Sequence, residues 1–163
     1  NRLIRLNITV DEAWAQIEVQ LKRRADLIPN LVETVKGYAK HEQSTFDAVV
    51  TARAKATTAS TVADTAAADG MLTQALRGLL AVAEAYPDLK ASTNFLSLQE
   101  ELATTENKVA FARQFYNDNV RSLNTAVKTI PSSFFAGFAK VSEREFYEVE
   151  DPQDRNVPNV SFE

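Results

Sequence analysis

The side chains in this sequence whose type and spacing could do chemistry fall into four small groups. His41 is the single histidine. An imidazole can act as a general base or bind a metal, but a di-iron carboxylate bundle needs Glu-x-x-His on two helices. Here Tyr38 stands three residues before His41, so His41 reads as a helix-surface residue. Glu100, Glu101 and Glu106 form the second group. Paired carboxylates can exchange protons, but no histidine and no matching group on another helix accompanies these, so they read as a solvated face. The third group is Lys22, Arg23, Arg24, Asp26 and Asn30, crowded around Pro29. A proline inside a helix frees the carbonyl four residues back, here that of Ala25, and a freed carbonyl among cations could receive a ligand or partner. The plainer reading pairs the arginines with Asp26 or with carboxylates on neighbouring helices. The fourth group is Phe134, Phe135 and Phe138 with Lys140, which could dip into a membrane interface. None of the phosphate-cradling, zinc-binding or nucleophile-elbow patterns occurs, and Gly37, Gly70, Gly78 and Gly137 stand too far apart to cradle a phosphate. The sequence thus predicts no catalytic, cofactor-binding or metal-ligating residue. As a possible partner surface it offers Arg23, Arg24, Asp26, Asn30, Phe134, Phe135 and Phe138.

These groups must be positioned by helices. Leu3, Leu6, Val10, Trp14, Ile17, Leu21, Ala25, Ile28, Val32, Val35, Ala39, Phe46 and Val50 recur three or four residues apart, with a polar slot only at Glu42 and Gln43. The stripe keeps its phase through Pro29, which predicts one long helix over residues 1–56, kinked at the proline. The alternative is a reversal at Pro29 with the proline in the first turn of a second helix, giving a four-helix bundle. Residues 57–61 are small and polar, and Thr61 with Asp64 makes a possible capping box for a helix reaching Tyr86, where Pro87 ends it. Asp69-Gly70 marks a weak spot or late start in that helix. Ser92 or Thr93 caps a third helix whose stripe, from Phe95 through Leu98, Leu102, Val109, Ala112, Tyr116 and Leu123 to Ile130, is broad enough for a bundle core. A short apolar turn or helix follows Pro131.

The predicted fold is therefore an all-α, antiparallel, up-and-down helical bundle over residues 1–140. Residues 141–163 make an acidic extended tail, with Val157, Val160 and Phe162 as possible anchors. In an up-down-up order the third helix runs the same way as the first. Residues 131–140 would then lie far from the N-terminus, and the three phenylalanines are expected to cap the core.

Composition narrows the function classes. The 163 residues carry 18 Lys and Arg against 22 Asp and Glu, a net charge of −4 that argues against a nucleic-acid partner. The absence of cysteine excludes disulfides and thiolate chemistry. No apolar run of about 18 residues is present to span a bilayer. The chain begins at Asn1 with its stripe already in phase at Leu3, which predicts that more sequence lies upstream.

Several long blocks resemble the LemA family. They are Val10-Asp11-Glu12-Ala13-Trp14-Ala15-Gln16-Ile17, the run from Arg23-Arg24-Ala25-Asp26-Leu27-Ile28-Pro29-Asn30 to Ala39, Ala83-Glu84-Ala85-Tyr86-Pro87-Asp88-Leu89-Lys90-Ala91, Phe111-Ala112-Arg113-Gln114-Phe115-Tyr116-Asn117-Asp118, and Val157-Pro158-Asn159-Val160-Ser161-Phe162. The alanine-rich residues 57–71 depart from the family's motifs. The resemblance implies a helical-bundle domain of a bacterial membrane protein, anchored by an N-terminal transmembrane helix that these residues do not include, with no established molecular function. It carries over no catalytic residue. The expected function is a non-enzymatic, membrane-anchored adaptor or scaffold of the cell envelope, binding other envelope proteins or further copies of itself. The alternatives are a lipid- or peptide-binding bundle and an enzyme with an unrecognised site. Arg2 and Arg5 would sit beside the membrane helix, and positive charge there favours the cytoplasmic side of the plasma membrane.

Overall fold

A computed structural model describes residues 1–129 and 132–148. The elements, in order, are α1 (Arg2–Lys36), α2 (Gln43–Thr58), α3 (Val62–Glu84), the single turn α4 (Pro87–Lys90), α5 (Thr93–Lys128) and α6 (Ser132–Ala139). Residues 141–148 follow as an extended strap. The fold is an all-α helical bundle. Helices α1, α3 and α5 start where a short polar side chain accepts from an orphan helix N–H: Asn1 Oδ1 from Leu3 at 3.0 Å, Thr61 Oγ1 from Asp64 at 3.1 Å and Ser92 Oγ from Phe95 at 3.4 Å.

α1 runs unbroken through Pro29, so the chain does not reverse there. It does not reach residue 56 either: it stops at Lys36, with Gly37 as its C-cap, and the chain turns back over residues 37–42. α2 then returns alongside the second half of α1. Arg53 Nε reaches the Ala25 carbonyl at 2.8 Å, and Lys36 Nζ lies 5.6 Å from the centre of the Phe46 ring. The apolar stripe hid this reversal because Val35, Ala39, Phe46 and Val49 all face one core across the turn. Side-chain spacing reports which residues share a core, and it is blind to the direction of the chain between them. Of the expected stripe, Val50 is displaced to the surface and Val49 takes its place.

α3 runs back up beside α2, with Tyr86 Oη 3.5 Å from Glu42. α5 lies antiparallel to α1 along the whole length of both. Asn94 Nδ2 meets Thr34 Oγ1 at 3.0 Å, Arg24 meets Glu106 at 3.3 Å, and the rings of Trp14 and Tyr116 lie 5.5 Å apart. The order is thus up-down-up-down, and the expectation that the last long helix parallels the first is overturned. Two cores result. One, where α1, α2, α3 and α5 meet, holds Ile28, Leu31, Phe46, Leu72, Leu79 and Leu102. The other, between the first half of α1 and the second half of α5, is closed by α6 and the strap and holds Val10, Ile17, Tyr116, Leu123, Ala136 and Tyr147.

The antiparallel pairing also moves α6. It lies beside the start of α1, so residues 132–139 sit at the same end as Arg2 and Arg5. Ala136 faces the bundle, while Phe134, Phe135 and Phe138 are exposed; they do not cap the core as expected. The three rings fall within one arc of about 100° on α6, and the helix turns its opposite side, with the small Ala136, against the bundle. Val141 N–H donates to the Ala136 carbonyl at 3.1 Å and Lys140 adopts a φ of 53°, a Schellman-type ending that turns the chain into the strap. Val157, Val160 and Phe162 lie outside the described residues.

Candidate functional site

Leu3, Val10, Ile17, Arg24 and Leu31 follow one another at seven-residue intervals and all are buried. A guanidinium therefore occupies a core position of α1, where an unpaired charge would be untenable. Its counter-charge comes from α3 by the same logic. Extending the buried face of Leu79, Leu76 and Leu72 backwards leads to Asp69 and Thr65, both buried. Arg24 Nη1 lies 2.5 Å from Asp69 Oδ1, and Glu106 on α5 approaches the same nitrogen at 3.3 Å. The other carboxylate oxygen of Asp69 accepts from the Tyr147 hydroxyl at 2.6 Å. Helices α1, α3 and α5 and the strap therefore converge on one group of four residues, buried except for the half-exposed Glu106, where the two cores meet.

The strap is held by amides that imitate a neighbouring strand. Asn124 donates to the Arg144 carbonyl and accepts from the Arg144 N–H (3.0 and 2.8 Å). Asn117 does the same for Tyr147 (3.0 and 2.9 Å). Seven residues of helix and three of extended chain both span about 10 Å, so the two asparagines meet matching residues of the strap. The Tyr116 hydroxyl adds a bond to the Glu145 carbonyl at 2.8 Å, and Arg144 reaches Asp11 on α1 at 2.7 Å. Tyr147 itself packs beside Trp14 and under Arg113, 6.3 and 5.8 Å from its ring centre.

The electrostatics fix what this group can do. Burial lowers the affinity of Arg24 for its proton, but Asp69 and Glu106 more than reverse this, and the guanidinium stays charged. Burial, then Asp69 beside it, pushes the Tyr147 hydroxyl far above the ordinary phenol range. A phenol so held is neither an acid nor a nucleophile near neutral pH. Both oxygens of Asp69 are engaged. The arrangement is a lock.

Two hollows flank it. One of about 330 Å³ lies between α3, α5 and the strap, lined in part by Asp69, Gly70, Glu106, Arg113 and Tyr147. The other, about 830 Å³, lies between α1, the end of α2 and the start of α3, and includes Trp14, Val19, Arg24, Ala56, Thr65 and Asp69.

The seven candidate residues do not form one surface. Arg24 is buried in the lock. Arg23 and Asp26 are exposed and line a separate shallow hollow with Glu100, Glu101 and Thr104 of α5. Asp26 also pairs with Lys22 at 3.1 Å. Asn30 is exposed on α1, and the three phenylalanines lie at the far end. The carbonyl that Pro29 frees is taken by Arg53, which removes it as a ligand site. His41 is exposed in the α1–α2 turn. Among the described residues no three His, Asp or Glu side chains are placed to hold a metal, and no helix is long and apolar enough to cross a membrane.

The sequence reading missed Asp69, Tyr147, Arg53, Asn117 and Asn124. For Asp69 a signal was available in the heptad that runs back from Leu76.

Comparison with known proteins adds the following. The model of the LemA family matches residues 13–162. A relative named Protein LemA, from Metamycoplasma hominis, is 25% identical over 130 residues, which covers 79% of this chain and 59% of the relative. The chain thus spans less than two thirds of that protein.

Proposed function

The chain belongs to the LemA family, and on that premise we propose that it is a non-enzymatic adaptor of the bacterial cell envelope, tethered by a transmembrane helix preceding residue 1 and presenting its helical faces to other envelope proteins. The observation that carries the reading is the division of labour among side chains. The buried charges of Arg24 and Asp69 and the Tyr147 phenol are engaged with one another in the lock, while large apolar side chains are left in solvent at helical spacing. Phe111 is 73% exposed and Phe115, one turn on, is also exposed on α5; Ile4, Ile8 and Val19 share a second outward face of α1. Such rows suit lateral packing against a partner helix.

The test is a photo-crosslinking amino acid at position 111 or 115 of the full-length protein in native membranes. Discrete protein adducts that vanish with Phe115→Glu or Phe111→Glu respectively support the adaptor. Labelling of small metabolites in place of protein would favour an enzyme. The anchored orientation, with the domain in the cytoplasm, is supported by Arg2 and Arg5. Protease added to intact spheroplasts should spare a C-terminal epitope, and loss of the epitope before lysis reverses the orientation.

A further inference from the structure

We propose that the α6 end of the bundle docks on an anionic bilayer surface, with Phe134, Phe135 and Phe138 entering the interfacial layer. The three rings are 71%, 56% and 90% exposed. They sit on one side of α6, since Phe138 follows Phe134 by four residues and Phe135 by three, the separations that share a helix face. Ala136, on the opposite side, faces the bundle, and the Ala136–Val141 backbone bond fixes the helix against it. Gly137 opens onto empty space. The rings thus form an outward apolar face with no partner among the described residues.

Charge identifies the occupant. Because α1 and α5 are antiparallel, residues 1–10, 119–129 and 132–142 share this end. They hold Arg2, Arg5, Arg121, Lys128 and Lys140 and none of the 22 carboxylates of a chain whose net charge is −4. The acidic groups that border the patch, Asp11, Asp118 and Glu143, are each paired, with Arg144, Arg121 and Lys128. An apolar face ringed by cations is the composition of a helix lying in the headgroup layer of an anionic leaflet. A second copy of the chain fits poorly. Docking two such ends would bring ten cations together, and three phenylalanines offer only about 400 Å² per copy, below the ~800 Å² per partner of a stable interface.

This deepens the membrane reading above, but it concerns the 163-residue chain alone, so its outcome is separate from that of the upstream anchor. The experiment is cosedimentation of that chain with vesicles of phosphatidylcholine, with and without phosphatidylserine. Binding is expected only with phosphatidylserine and should weaken steeply with salt, each cation near the surface contributing roughly a fivefold factor. The triple variant Phe134→Ser, Phe135→Ser, Phe138→Ser should lose at least about tenfold in binding at an unchanged melting temperature, while Leu96→Ser, an exposed apolar position at the other end of the bundle, binds as the parent does. Independently of the triple variant's folding, the added emission of Phe138→Trp should shift to the blue on phosphatidylserine vesicles. Undiminished binding by a folded triple variant, an unshifted emission from Phe138→Trp, or a parent chain that ignores the vesicles and self-associates through these rings would each overturn the proposal.

Discussion

The two halves of this bundle share α1 and α5 but are closed by different chemistry. Around Leu79 and Phe46 four helices meet through apolar side chains. At the other end two helices leave an open side, and a strap of extended chain closes it through backbone bonds to Asn117, Asn124 and Tyr116. Apolar closure tolerates some loss of geometry because it is non-directional. Polar closure is directional and leaves unpaired groups behind when one partner goes. The two halves should therefore fail differently, and the Arg24–Asp69–Tyr147 lock, which lies where they meet, should fail most severely.

The largest effect is expected there. Asp69→Ala leaves the Arg24 charge buried with only the half-exposed Glu106 for company, and should cost about 3–5 kcal/mol in urea unfolding. Replacing both partners, Arg24→Met with Asp69→Leu, should recover most of that loss. A single variant that loses less than about 1 kcal/mol would put the pair in the class of surface ion pairs and remove the lock from this account.

Next comes the apolar half. Leu79 is fully buried, and Leu79→Ala should cost about 2–5 kcal/mol through the cavity it leaves. The urea dependence should stay single and equally steep, since this core unfolds as one unit. A second transition would show that the strap half holds together without it.

The strap half can be probed separately. Asn117→Leu or Asn124→Leu should cost about 1–3 kcal/mol each, because a strap N–H and carbonyl lose their partners. Amide exchange at Tyr147 or Arg144 should accelerate far more than at Leu72 or Leu76. Equal acceleration everywhere would mean that the strap opens only when the whole molecule does.

The same contrast governs what could be read from the sequence. The apolar half was legible: the α3 stripe from Leu72 to Ala83 and the α5 stripe from Phe95 to Ala126 are where the spacing places them, because burying apolar area has a period that sequence records. The end of α1 was not, since Ala39 carries the stripe through the turn without a break. The strap was illegible for another reason. Asn117, Asn124 and Tyr147 act through one or two directional bonds to residues 20 to 78 positions away, and nothing periodic announces such a bond. Arg24 is intermediate. Its place in the heptad of Val10, Ile17 and Leu31 shows that it is buried and so demands a carboxylate; which carboxylate only the packing of α3 decides.

The smallest effect is the most specific to the lock, and it appears in alkali. Burial, then Asp69, raises the Tyr147 hydroxyl above the ordinary value of 10.0; burial raises that of Tyr116 against the pull of Arg144. In the unfolded chain both phenols lose their protons near that ordinary value, while in the folded chain they keep them. The stabilisation from this difference is complete below about pH 10 and is lost as the pH rises above it, at up to about 1.4 kcal/mol per pH unit for each group. Tyr147→Phe removes one of the two contributions. It should lower stability at neutral pH, through the bond lost to Asp69, yet make the alkaline decline less steep. Unfolding free energies measured from neutral pH upward separate these two effects, since one shifts the curve and the other changes its slope. An unchanged slope would mean that the Tyr147 hydroxyl titrates as freely in the folded protein as in the unfolded chain, and that the strap does not close on Asp69.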